Sequence, residues 1–323
     1  MTIKRLVAFL GAAALIVAAL LIRKGIDDNS SSGNGSTDVP SGGTTNVVCS
    51  TQLAAVCSKL SKGYDVTMES AGKTLDRLSK QAAQPPDAWI TLDPFPGMLD
   101  TVRSFTNVPA LPADVAAVAT DPPILAVPKA RSAAVSTGCS GQSAWKCLGS
   151  AAGKAWTSLD AGAGGGDVLV GITNPATEDL GLLTFANAVA GYFGVAQQDN
   201  SSFDDPAFTS WLRSFSNNVG VVASGTTPLG TLLVRPTEVN VAASTTSEIQ
   251  QNERRADVAT IAVSPAIAST AVVAGFTARG KAIAAKLGPL FVAAGWTAPT
   301  APQPLLPAGT FVALRALWKE YNK

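Results

Sequence analysis

The sequence predicts an α/β fold built around a mostly parallel sheet. Short apolar runs of strand length recur along the chain, each followed by a segment of helix length. That alternation lays helices on the faces of a parallel sheet. The composition agrees: 46% of residues are hydrophobic and 15% charged, too apolar for a disordered chain and too poor in charge for a coiled coil. The 323 residues suffice for two lobes of ordinary size, and length alone also allows one large domain.

The first segment is of another kind. Leu6–Ile22 is an unbroken apolar or small run of 17 residues, at the short end for a membrane span. It can be a cleaved signal peptide or a retained anchor, and three features favour the anchor. No cysteine lies near residue 20 to take a lipid, Arg23 and Lys24 stand where a small-x-small cleavage site would be, and no polar residue ends the run early. Lys4 and Arg5 precede the run and Arg23 and Lys24 follow it, so the positive-inside rule does not choose an orientation. Residues 25–45 form a polar Gly/Ser-rich tether that cannot bury a core.

The body opens at Asn46. Asn46–Cys49 reads as a buried strand and Gln52–Leu60 as a helix; Tyr64–Met68 is a strand, Thr74–Gln81 a helix, Asp87–Leu92 a third strand. Ile124–Val127 is a fourth strand between Pro123 and Pro128. A loop-rich stretch, Gly138–Gly166, holds one helical candidate near Ser143–Thr157. Asp167–Ile172 is again a strand. After it, Leu180, Leu183, Ala186, Ala190 and Phe193 recur at three- and four-residue spacing as one apolar helical stripe. Pro206–Phe215 is a helix with Asp204 or Asp205 near its cap. Val219–Ala223, Val239–Ala243 and Thr260–Val263 are strand candidates, with helices at Pro228–Val234 and Ser247–Arg254 between them. Gly275–Ala294 reads as a long Ala-rich helix with a potential break at Gly288-Pro289. Thr297–Ala308 carries four prolines and is a loop, and Thr310–Tyr321 is an amphipathic helix.

Several function classes fall away. The chain has no histidine, which removes Ser-His-Asp and Cys-His catalytic units, His-bearing zinc sites and His-based pH switches. The first 24 residues hold four basic side chains and no acid, so the remainder, with 20 basic and 23 acidic residues, is mildly acidic and not a nucleic-acid binder. The four cysteines form two close pairs, Cys49 with Cys57 and Cys139 with Cys147, with no Cys-x-x-Cys. Two disulfides in an oxidising exterior suit this pattern, the alternative being four buried thiols.

Ser70-Ala71-Gly72-Lys73-Thr74 follows a strand and opens a helix, the setting of a phosphate loop, but Thr67 stands where the first glycine must be. What survives is a helix start offering free N–H groups, a hydroxyl and an ammonium to a small anion or polar ligand, against plain capping by Ser70 or Thr74. The same residues spell Ser-x-x-Lys, which recurs at Ser143–Lys146 without companion motifs, so acyl transfer is rejected. Gly162–Gly166 precedes a strand instead of following one and is a loop. Glu178-Asp179 reads as first-turn acids favoured by the helix dipole. Strand ends running into hydroxyl, Gly or Asn residues and then a helix recur at Cys49–Thr51, Ser70–Thr74, Thr173–Thr177 and Ser224–Thr227. In open α/β sheets such rims bind ligands, and two facing rims make a cleft.

The runs VVCSTQLAAVCSKL, YDVTMESAGKTLDRL, PDAWITLDP and GDVLVGITNPATEDLGLLTFANAVAGYF resemble type 2 extracellular solute-binding proteins. More narrowly they resemble the membrane-anchored, actinobacterial-type substrate-binding domain proteins. The similarity extends through GFTARGKAIAAKL and LPAGTFVALRALWKEY and covers about residues 46–323. Some members carry a von Willebrand factor A domain after the binding domain, which this chain is expected to lack. The resemblance implies a two-lobed type 2 periplasmic-binding-protein-like fold after an N-terminal transmembrane helix. Lobe 1 would take residues 46–127 and return over 259–323, and lobe 2 would take 128–258. Crossovers are expected near Leu125–Lys129 and Ala259–Ser264. Carried over by position, Ser50, Thr51, Gly72, Lys73, Thr74, Asp93, Thr173, Asn174 and Thr177 would face the interlobe cleft. The expected role is capture of a small polar or anionic solute outside the cytoplasm, without covalent chemistry, cofactor or metal. An ABC transporter or an envelope protein is the expected partner. The rival reading is an anchored envelope scaffold or sensor with a degenerate cleft that binds a protein. Small oxyanions suit Lys73 at its helix start, with sugars and peptides left open.

Overall fold

A computed structural model describes residues 43–197, 200–299 and 306–322. The expected anchor Leu6–Ile22 lies outside them. Among the described residues no helix is long and apolar enough to cross a membrane.

The chain builds two five-stranded sheets. The first begins with β1 (Thr45–Ser50), followed by a 3-10 turn and a short helix α1 (Ala54–Cys57), then β2 (Tyr64–Glu69), α2 (Ala71–Leu78) and β3 (Ala88–Leu92). Helix α3 (Phe95–Phe105) leads to β4 (Asp114–Asp121). At Pro122 the chain passes to the second sheet through β5 (Pro123–Pro128), then α4 (Ser132–Gly138) and α5 (Ala144–Ala151). Next come β6 (Val170–Ile172), α6 (Asp179–Phe193), α7 (Pro206–Asn218) and β7 (Gly220–Val221). The lobe closes with α8 (Pro228–Val234), β8 (Val241–Thr245), α9 (Thr246–Gln251) and β9 (Val258–Ala262). Residues 263–268 return the chain to the first sheet as β10 (Ser269–Gly275). Helices α10 (Ala278–Lys281), α11 (Ala284–Ala293) and α12 (Ala308–Tyr321) complete it.

The strand orders are β2-β1-β3-β10-β4 and β7-β6-β8-β5-β9. β1 runs parallel to β2 and β3, and β6 parallel to β7 and β8. β10 and β5 are antiparallel to both their neighbours. Each sheet is therefore mixed, where the alternation predicted a mostly parallel one. The antiparallel strands are the two beside the lobe crossings. The crossings fall at 121–123 and 263–268, a few residues from where the resemblance put them, because β5 and β9 belong wholly to the second sheet.

Most elements form where the pattern places them, since a strand buried on both faces reads as one apolar run. Every residue of β3 is buried. Other expectations are corrected. The helix expected over Thr74–Gln81 starts at Ala71, and Gln52–Leu60 yields only the 3-10 turn and α1. Ser143–Thr157 shortens to α5, capped by Ser143, whose Oγ accepts the Lys146 N–H at 3.1 Å; the second Ser-x-x-Lys is thus a helix cap. Gly275–Ala294 is not one helix: Gly275 ends β10, the helix breaks between Lys281 and Ala284, and Pro289 lies inside α11. Helix α3 and strands β4 and β10 were not anticipated. Prolines 94 and 96 disguise the start of α3, although proline is tolerated in a first turn, and β4 and β10 are alanine-rich, a poor strand signal.

Both expected disulfides are present, Cys49–Cys57 with Cα atoms 6.6 Å apart and Cys139–Cys147 at 5.4 Å. One apolar core runs through both lobes, from Val47, Trp89 and Val273 to Val170, Ile172 and Leu183. Its centre is α6, apolar on all sides and buried from Gly181 to Gly191, as a uniformly apolar helix must be. Helix α6 packs on α5, on β3 of the other lobe and on α12. The Phe185 ring meets Trp318 of α12 edge-on at 5.3 Å.

Candidate functional site

The carboxyl ends of β1, β2 and β3 bring Ser50, Ser70 and Asp93 to one edge of the first sheet, each at or near the start of the element that follows. The turn 173–178, between β6 and α6, meets this edge from the second lobe. The two rims anticipated from sequence are thus brought together, and they touch directly. Thr51 Oγ1 donates to Glu178 Oε2 at 2.8 Å, the Gly72 N–H to the Thr177 carbonyl at 2.8 Å, and the Leu180 N–H to Gln52 Oε1 at 2.6 Å.

At the centre lies Asp179, fully buried. Its carboxyl accepts from Thr91 Oγ1 and the Leu92 N–H, both at 3.2 Å, and from its own helix start at Leu180 N–H, 3.0 Å. Ser50 Oγ, also buried, lies near the same carboxyl and favours its ionised form without meeting hydrogen-bond geometry. Burial pushes the Asp179 carboxyl up from its ordinary value against these donors. Glu178 is also pushed up, by burial and by the Asp179 charge, while the Thr51 bond and the Lys73 charge oppose the shift. Asp93 is raised by burial alone, and no side chain or N–H among the described residues pairs with its carboxyl.

The remaining anticipated residues divide. Thr74 Oγ1 is spent on Glu69 Oε2 at 2.7 Å, and Asn174 Oδ1 on the Ala176 N–H at 2.9 Å. Lys73 is exposed, its charge reaching Glu69 and Glu178. Ser70 occupies the cap position of α2 but makes no side-chain cap bond, so neither it nor Thr74 caps the helix. The Ser70 and Thr173 hydroxyls, 7% and 6% exposed as residues, have no hydrogen-bond partner among the described residues. Ser224–Thr227 follows β7, whose end lies beside that of β6 through the Val222 N–H donating to the Ile172 carbonyl at 3.0 Å; there Thr227 Oγ1 accepts the Gly230 N–H at 3.0 Å and caps α8.

Four participants lie outside the expected rim: Gln52, Glu178, Asp179 and Arg315, whose Nε donates to the Ala176 carbonyl at 2.7 Å. Gln52 carries no signal of its own. Glu178-Asp179 was read as dipole-favoured acids, yet acids opening a uniformly apolar helix have to be buried with it. Arg315 sits on the buried stripe of α12 with Phe311, Leu314 and Trp318, and a charge on such a stripe demands a partner.

Near the lobe crossing, Asp121 at the end of β4 accepts from the Ser247 N–H at 3.1 Å and from Ser247 Oγ at 2.5 Å, and Glu248 accepts from Ser244 Oγ at 2.6 Å. Burial raises both carboxyls. Among the described residues no three His, Cys, Asp or Glu side chains are grouped to hold a metal ion.

Two α/β lobes, two chain crossings and sheet ends that meet rim to rim make this a type 2 periplasmic-binding-protein-like fold. A ferric binding protein from Campylobacter jejuni shares this architecture, with 13% identity and a TM-score of 0.51 over 86% of this chain and 97% of that one. Further similar structures are a periplasmic binding protein (11% identity, TM-score 0.49, 87% of this chain and 99% of that one) and an ABC transporter protein from Clostridium perfringens (10%, 0.47, 85% and 98%). At such identities the likeness is one of fold. No protein-family model and no curated protein sequence matches the chain.

Proposed function

We propose that this protein is an extracytoplasmic solute-binding protein, anchored through Leu6–Ile22, that takes a small polar solute between its lobes for transport, with an ABC transporter as partner. One observation carries the reading. Facing segments of the two lobes, 70–74 and 173–177, each bury a hydroxyl without a protein partner, Ser70 and Thr173. Among the described residues nine buried side-chain polar atoms lack a partner, and of these Ser50, Ser70 and Thr173 stand where the two lobes meet, so they are the groups a ligand would satisfy. The unpaired Asp93 carboxyl extends the same sheet edge, where Ser50, Thr51, Gly72, Lys73, Thr74, Asn174 and Thr177 complete the proposed rim. The two disulfides support an oxidising exterior.

Charge narrows the solute class. Asp93, Glu178 and Asp179 lie at the junction, whereas Lys73 is exposed and already faces two glutamates. An anion beside these poorly solvated carboxyls would have to keep them protonated, whereas a neutral or cationic solute would not. The reading therefore favours an uncharged or cationic, hydroxyl- or amine-bearing solute. Ferric ion, named for the Campylobacter protein, is not carried over, since at 13% identity the likeness is one of fold.

A thermal-shift screen of the full chain in detergent against sugars, polyols, amines, amino acids and oxyanions tests this. A solute at a hundred times its Kd should stabilise by about 2.7 kcal/mol through mass action. The Thr173→Val variant should lose part of that shift. No response across the library would defeat solute binding. It would favour a second reading, an envelope scaffold that binds a protein partner, which the direct rim-to-rim bonds and the core shared by both lobes also suit.

A further inference from the structure

Arg315 belongs to α12, in the segment that returns after the second lobe, and is 8% exposed. Its guanidinium binds both lobes. Nη1 and Nη2 donate to the two oxygens of Asp76 at 2.7 and 2.9 Å, and Nη2 also donates to the Gly72 carbonyl at 3.2 Å, all on α2 of the first lobe. Nε donates to the Ala176 carbonyl at 2.7 Å, in the turn of the second lobe. The next residue, Thr177, accepts the Gly72 N–H. We propose that Arg315 is a latch, a positioning residue through which the C-terminal helix holds the 174–177 turn of the second lobe onto the start of α2, keeping the two rims closed.

The fork suits this task. A guanidinium stays charged and presents its donors in a fixed plane, so a bidentate carboxylate pair aims the remaining N–H at one place. Asp76 supplies that pair: burial pushes its carboxyl up, but the bonds and charge of Arg315, with Lys319 and Lys80, outweigh this and hold it below its ordinary value. The Asp76 side chain is 57% exposed, so the pair opens to solvent on one side, while the Arg315 side chain is 10% exposed. Helix α12 is seated on both lobes, on α3 of the first and on α6 and α7 of the second. Arg315 would close the junction whatever the junction binds.

Hydrogen exchange of the full chain in detergent tests it. The Gly72 N–H, bonded to Thr177, and the Leu180 N–H, bonded to Gln52, report rim closure. The Ile90 N–H in the middle of β3 reports global opening. Arg315→Lys keeps the charge and removes the fork. It should speed exchange at Gly72 and Leu180 by roughly tenfold or more, the loss of one charge-assisted hydrogen bond, with Ile90 unchanged. Asp76→Asn, a change at an exposed side chain, should speed the same two amides by a smaller factor, and it decides the matter if Arg315→Lys does not fold. Unchanged exchange at Gly72 and Leu180, or equal acceleration at all three amides, would overturn the latch.

Discussion

Placing one methyl group between the lobes should force them apart. Gly72 is the second residue of α2, and a Cβ there would lie 2.5 Å from the Ala176 carbonyl oxygen, 2.8 Å from Thr177 Cα and 2.9 Å from Arg315 Nη2. Two of these three atoms are backbone, so a rotamer change cannot relieve the contact. Overpacking of this kind costs about 1–3 kcal/mol. The displaced Gly72–Thr177 hydrogen bond removes a further ~0.5–1.5 kcal/mol. Against this, alanine is better than glycine in a helix by up to about 1 kcal/mol. The expected net loss for Gly72→Ala is about 2 kcal/mol, a fall in Tm of about 3–4 °C for a body of this size. Gly309 is a matched control, also the second residue of its helix, with no atom within 4 Å of its added Cβ. Gly309→Ala should be neutral or slightly stabilising. Urea and thermal denaturation of the two variants make the comparison, and equal stability would refute the direct contact between α2 and the 174–177 turn.

Two further outcomes follow from the buried acids and the cysteines. Asp93, Asp121, Glu178, Asp179 and Glu248 are all raised by burial above the ordinary 3.8 of aspartate and 4.5 of glutamate, so the folded state binds more protons than the unfolded one above those values. Stability should therefore fall as pH rises through their raised values, with Tm higher near about pH 5 than near about pH 8. Asp76 and Glu69 are shifted down, so the stability they contribute is present above 3.8 and 4.5 and is lost as pH falls through their lower folded values. A Tm profile that rises from mildly acidic to alkaline pH would contradict the assignment. Each disulfide closes a separation of eight residues and should contribute about 2.5 kcal/mol by restricting the unfolded chain. Peptide mapping without reductant should find Cys49 joined to Cys57 and Cys139 to Cys147, with Tm lowered by reduction; free thiols would end the argument for an oxidising exterior.

Much of this was legible in the sequence because burial writes itself as pattern. The runs that became β1, β3 and β5 are apolar and bounded by proline or polar residues, edge strand β2 alternates as YDVTME, and the stripe from Leu180 to Phe193 marks α6. The cysteine pairs were readable because eight residues of chain hold their partners close. The alanine-rich strands β4 and β10 were not readable. Alanine fits a helix or a strand, and only pairing to β3 and to each other commits DVAAVATD and STAVVAG to a sheet. Helix α3 was hidden by prolines that forbid a helix interior but not its first turn.

Local sequence determined which residues could stand at the ends of strands with hydroxyls and open helix starts: Ser50, Thr51, Ser70, Lys73, Thr173 and Asn174. Tertiary structure alone decided what those groups meet. Thr51 is spent on Glu178, 127 residues away, and the Gly72 N–H on Thr177, whereas Ser70 and Thr173 are left without a partner. It also turned Glu178-Asp179 from helix-start acids into buried contacts with the other lobe, and it brought Arg315 from the last helix onto Asp76, 239 residues earlier. Hydrophobic periodicity is a property of neighbouring residues and survives in the linear chain. Hydrogen-bond satisfaction across a junction depends on where two lobes come to rest, and that follows from packing around α6 and α12, which no local pattern specifies.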